Sequence, residues 1–147
     1  MGLFGNRHHV RTHFADPITK EIKPGYKNFC AYFNVDHGCG RIRGVSIQSN
    51  AVLRSIFTEW MKPLHHLGMS HLFHTGMVHE AYDEVGLPGF YFVQDRMAER
   101  AYHSNMDTYD RLVAEDLMAN SVILATFVYH AAMRDDKLPR FSSVPWE

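Results

Sequence analysis

Phe29-Cys30-Ala31-Tyr32-Phe33-Asn34-Val35-Asp36 is a nearly continuous apolar run closed by a carboxylate. Pro24-Gly25 before it and His37-Gly38-Cys39-Gly40 after it are turn signals, so the run reads as a strand. Unbroken apolarity suits a strand buried on both faces, as in a sheet covered by helices. Asp36 then stands at the strand's end beside a glycine-rich turn. Open α/β sheets place ligand-binding groups there. A strand-end aspartate is also a common turn cap.

On the amino-terminal side, Gly5 to Phe14 has Val10 and Phe14 spaced for one buried helical face, and Asp16-Pro17 stops that helix. On the carboxy-terminal side, Arg41 to Gln48 alternates apolar and polar residues as a second, more exposed strand. Ser49-Asn50 can cap a helix in which Val52, Ile56 and Trp60 recur, and Pro63 kinks or ends it. His71 to Gly76 reads as a short strand and Val78 to Val85 as a short helix. Gly86-Leu87-Pro88-Gly89 punctuates the chain before an aromatic strand, Phe90 to Val93. A polar loop, Tyr102 to Leu112, leads into a long helix from Val113 to Met133. That helix carries two apolar stripes expected to pack on the sheet: Leu117, Ser121, Leu124, Val128 and Met118, Val122, Ala125, Tyr129. Lys137 to Glu147 holds two prolines and is expected to be loose. The element order implies an α/β layer architecture.

At 147 residues the chain is about one domain long, and 46% hydrophobic residues supply a core. A formal net charge of −1 makes no electrostatic case for nucleic acid or an anionic membrane. No apolar run approaches the ~20 residues of a membrane span. Met1-Gly2-Leu3-Phe4-Gly5-Asn6-Arg7 lacks the cationic-then-apolar order of a signal peptide. Cys30 and Cys39 match no zinc-ribbon or redox spacing and read as free thiols. The eleven histidines make metal chemistry worth testing.

Asp36 and His103 form the leading pair, because each follows a strand or the loop leaving one. Carboxylate oxygen with imidazole nitrogen is a common zinc donor set. A lone loop histidine is more often a surface or hydrogen-bonding residue. Asp107 could orient a ligating imidazole from four residues away, or cap a turn. Asp110 reads as a helix cap. His8-His9 and His65-His66 are adjacent pairs that point to different parts of a helix and are read as surface residues. His71, His74 and His79 flank a strand or begin a helix, and His130 sits at a core boundary. Glu80, Glu84, Glu115 and Asp116 have ordinary surface spacing on helices. No nucleophile triad order, phosphate loop or HExxH helix occurs.

Asn34-Val35-Asp36 after an apolar strand, then Gly86-Leu87-Pro88-Gly89-Phe90, then His103-Ser104-Asn105-Met106-Asp107-Thr108-Tyr109-Asp110, resemble the carboxy-terminal half of a two-zinc exopeptidase. The family is that of the zinc aminopeptidases, plasma glutamate carboxypeptidase and glutaminyl cyclase. The resemblance implies a three-layer α/β/α sandwich with a mixed central sheet, present as a partial domain. It covers residues 1–139 as the carboxy-terminal part of a catalytic domain, with 140–147 as a flexible tail. It implies zinc as cofactor, with Asp36 matching a ligand of one ion and His103 the final histidine ligand of the other. A peptide or dipeptide is the implied substrate. Gly2-Leu3-Phe4-Gly5-Asn6 resembles the segment that follows the family's glutamate pair, one a general base and the other a ligand.

Two departures matter and a third is minor. The glutamate pair, an upstream histidine and the bridging aspartate have no counterpart in these residues, Val78 stands where relatives often carry an aspartate, and Asn6 replaces a usual serine. The expectation is a metallo-exopeptidase fragment that binds zinc weakly and does not hydrolyse peptides alone. The alternative is a non-catalytic module retaining the second half of the fold. Either leaves a sheet edge uncovered, which implies self-association.

Overall fold

The computed structural model describes residues 4–36, 40–48, 50–74, 80–95 and 101–140. Four strands, β1 (Tyr32–Asn34), β2 (Ile42–Ser46), β3 (His71–Phe73) and β4 (Gly89–Gln94), form one mixed sheet in the order β1-β4-β2-β3. β1 runs parallel to β4, with Phe33 opposite Phe90. β2 runs antiparallel to β4, with Val45 opposite Phe92, and parallel to β3. Gly44 is required where β2 meets β3, because a Cβ there would collide with the His71 carbonyl.

Helices cover both faces in an α/β/α arrangement. α3 (Leu53–Met61) and α5 (Ala114–Ala132) pack with β2 and β4 around Phe57, Trp60, Phe90, Phe92, Ile123 and Phe127. Phe127 sits at the centre, its ring 5.1 Å from Phe92, 5.2 Å from Phe57 and 5.5 Å from Trp60. Phe33 on β1 joins this cluster, whereas the neighbouring Tyr32 packs with the other, as strand alternation requires. That second cluster draws on α1 (Phe4–His13), α2 (Pro24–Asn28) and α4 (Glu80–Asp83). Tyr32 stacks on Tyr82 at 4.4 Å, and the Tyr26 hydroxyl donates to the Val85 carbonyl at 2.9 Å.

Several expectations need correcting. β1 is an edge strand of intermediate burial, not one buried on both faces, because β4 takes the interior place. β2, expected to be the more exposed strand, is interior and almost wholly buried. Pro24-Gly25 opens a short helix instead of a simple turn, with proline at its first turn where no amide is needed. α3 buries Leu53, Phe57, Trp60 and Met61, while Val52 is exposed and Ile56 only half-buried. Asn50 still helps start it, its Oδ1 accepting from the Val52 amide at 3.3 Å.

The largest correction concerns α5. Its inner face is Asp116, Ala119, Asn120, Ile123, Phe127 and Ala131, and most of the two apolar stripes point outward. The end of the described chain is also tied down. Leu138 is buried, the Pro139 carbonyl accepts from Asn50, and the Arg140 guanidinium lies 4.4 Å over the Tyr26 ring. Residues 141–147 of the expected flexible tail lie outside the described residues.

Candidate functional site

Because β1 and β4 are parallel, their carboxyl ends share one sheet edge. Asp36 follows β1 at that edge, and the 101–112 loop leads into the head of α5 (Ala114–Ala132), whose Asp116 is held by Arg41 at the same edge. Antiparallel β2 begins there, bringing Gly40 and Arg41 alongside. Asp36 is exposed, and its negative charge, after burial, is the second cause raising the Tyr32 phenol above its usual range.

The loop holds itself by local hydrogen bonds anchored on buried Ala101. The Ser104 hydroxyl donates to the Ala101 carbonyl at 2.7 Å and accepts from the Met106 amide at 3.2 Å. The Asp107 amide donates to the Ser104 carbonyl at 3.2 Å. His103 has φ +57°, a left-handed conformation uncommon for a residue with a side chain, and its ring meets Tyr102 at 4.0 Å. His103 and Asp107 are exposed, and among the described residues no hydrogen bond joins the Asp107 carboxylate to His103. Asp110 does not cap α5. It lies in a 3-10 turn, Tyr109–Arg111, its carboxyl held below the usual range by the Thr108 hydroxyl and its own amide.

The edge is locked beneath these residues by a buried polar network. Asn120 of α5 accepts from the Ile42 amide through Oδ1 at 2.7 Å and donates from Nδ2 to the Gly40 carbonyl at 3.0 Å. Gln94 donates to the same carbonyl at 2.7 Å. Arg41 Nε donates to Asp116 at 2.8 Å, so Asp116 faces inward and is no surface carboxylate. Arg43 Nε donates to Asp95 at 2.7 Å, and this bond holds the Asp95 carboxyl below its usual range. Gly40 leaves no room for a Cβ against the Asp95 backbone. Asp95, a second strand-end carboxylate, is legible in the Gln94-Asp95 step that closes the aromatic strand. Asn120 and Asp116 give no such signal, being polar residues on a helix.

Other polar groups lie elsewhere. Asp83, hydrogen-bonded by Gln48, is pushed up to about 7 by burial. It precedes β4, while Gln48 follows β2, so both belong to the opposite sheet edge. A cleft of about 360 Å³ is lined by Arg7, Val10, Arg11 and Glu84 among others, with none of Asp36, His103 and Asp107 in its wall. His8, His9, His65 and His66 are exposed as expected, and His130 is half-buried against Trp60 at 5.4 Å.

Zinc takes about three or four protein ligands. Among the described residues, no three histidine, cysteine, aspartate or glutamate side chains converge. Asp36 and His103 therefore do not make a complete zinc centre with the other described residues. Gly2, Leu3, Cys39, Val78 and His79 lie outside the described residues.

No family model and no curated protein matches the chain. Its fold is similar to that of a solved structure described as a Peptidase M28 precursor from Shewanella amazonensis SB2B. The TM-score is 0.70 at 22% identity, over 95% of this chain and 30% of that one. The chain thus spans about a third of that protein's length, and the likeness is one of fold.

Proposed function

We propose that the chain is the carboxy-terminal part of a zinc-dependent exopeptidase catalytic domain of the aminopeptidase type, acting on a peptide or dipeptide. The reading rests chiefly on the fold likeness to an M28 peptidase over 95% of the chain. The shared edge of Asp36 and the 101–112 loop supports it, since parallel strand ends are where such sheets carry ligands. In this reading Asp36 and His103 each supply a ligand from one wall of a two-zinc site, and Asp107 orients the imidazole once the loop closes on a ligand. Zinc in such a site supplies Lewis acidity and an activated water. The Asn120 and Arg41 network keeps the start of β2 and the head of α5 fixed beneath that wall. The remaining ligands and the general base belong to the other part of the domain, so the isolated chain does not turn over peptide.

The test is to extend the reading frame upstream and assay the longer chain. The expected result is zinc-dependent release of terminal residues from peptides, abolished by Asp36→Ala. Zinc-dependent turnover by the isolated 147-residue chain would contradict the division of the site.

A further inference from the structure

α5 presents an outward face that its own fold leaves uncovered. Leu117, Met118, Val122, Val128, Tyr129 and Met133 are between 41 and 65% exposed. From Leu117 to Met133 the helix carries no aspartate, glutamate, lysine or arginine. Its Ser and Thr hydroxyls bond to their own helix, Ser121 to the Leu117 carbonyl and Thr126 to the Val122 carbonyl, each at 2.8 Å. A helix apolar all round is ordinarily buried all round. Crossing a bilayer does not account for it, because no helix among the described residues is long and apolar enough to span one.

The outward residues also follow a particular spacing. Met118, Val122, Ala125, Tyr129 and Ala132 recur at alternating steps of four and three, the seam by which one helix meets another. Ala125 at the middle lets two backbones approach closely. We propose that this seam is a twofold interface, α5 of one copy lying antiparallel against α5 of a second copy. An uncharged face meets its own image without like-charge repulsion, and antiparallel helices oppose their macrodipoles favourably. Met118, Val122, Tyr129 and Met133, on or beside the seam, expose on the order of 450 Å² per copy, with Leu117 and Val128 flanking them, against the ~800 Å² per partner of a standard interface. This differs from association through the sheet edge, whose outer strands β1 and β3 are only three residues each. It does not depend on the proposed peptidase reading.

Sedimentation of the full chain across micromolar concentrations tests it, with Val122→Glu beside the parent. The parent is expected to dimerise, and Val122→Glu to raise the dissociation constant by at least about thirtyfold, the loss of one interface hot spot. Val122 is exposed, so circular dichroism and melting of the Val122→Glu monomer should be unchanged. As a second readout, Ala125→Cys should form a disulfide-linked dimer under mild oxidation, and Thr58→Cys on exposed α3 surface should not. A parent that stays monomeric at every concentration would overturn the proposal, whatever else covers the face. So would a dimer indifferent to Val122→Glu, or equal cross-linking at positions 58 and 125.

Discussion

Asn120→Ala is the substitution that probes the sheet edge most sharply. Its Oδ1 is the acceptor for the amide of Ile42, a residue with no exposed surface, so the vacated acceptor is not replaced by bulk solvent. Leaving that amide unsatisfied costs about 1–3 kcal/mol. The Nδ2 bond to Gly40 adds about 1 kcal/mol and no more, because Gln94 still satisfies that carbonyl. The sum is about 3 kcal/mol, or roughly 10 °C in melting temperature for a domain of this size. Urea unfolding of Asn120→Ala and Asn120→Asp would measure it. Asp at 120 accepts from Ile42 in either state but can donate to Gly40 only when protonated. Its deficit should therefore shrink toward pH 4 and grow toward pH 7, while that of Ala stays flat. A loss under about 0.5 kcal/mol for Asn120→Ala, the range of ordinary surface changes, would refute this lock.

Further outcomes follow from single groups. Asp83 has a carboxyl raised to about 7 by burial, so the native state holds its proton where the unfolded chain has lost it. Stability from this group is greatest below about pH 4 and falls as pH rises toward about 7. Asp83→Asn should remove that slope and stabilise at pH 8 by on the order of 1–2 kcal/mol, discounted for its partial exposure; pH-dependent melting checks it. Phe127→Ala empties the centre of the aromatic cluster and should cost about 3–5 kcal/mol in chemical denaturation. Asp36→Ala and His103→Ala alter exposed groups and should shift stability by less than about 0.5 kcal/mol, so any effect on metal binding is read without a folding defect.

The sequence carried the strands better than the faces. Turn signals bracket each apolar run, so all four strands and the long helix were foreseeable, with β1 and β4 parallel. Hydropathy misled where tertiary partners decide. Arg41 to Gln48 alternates, yet β2 is interior, because Arg41 and Arg43 reach out to Asp116 and Asp95 while the strand stays covered. In α5 apolar residues surround the helix, so no stripe stands out. The true inner face is marked by Asn120 and Asp116, polar residues whose partners, Ile42 on β2 and Arg41 just before it, come more than seventy positions earlier. The proposed site rests on strand-end chemistry and a family resemblance. Its supporting network was not legible, since those bonds join residues that no local pattern relates.

Zinc titration followed by nuclear magnetic resonance tests the proposed half-site most directly. The His103 ring and the Asp36 backbone should shift with zinc, weakly, and His103→Ala should abolish or weaken the Asp36 response. Zinc that moves histidines such as His9 and His13 on α1 while leaving Asp36 and His103 unchanged would contradict the assignment.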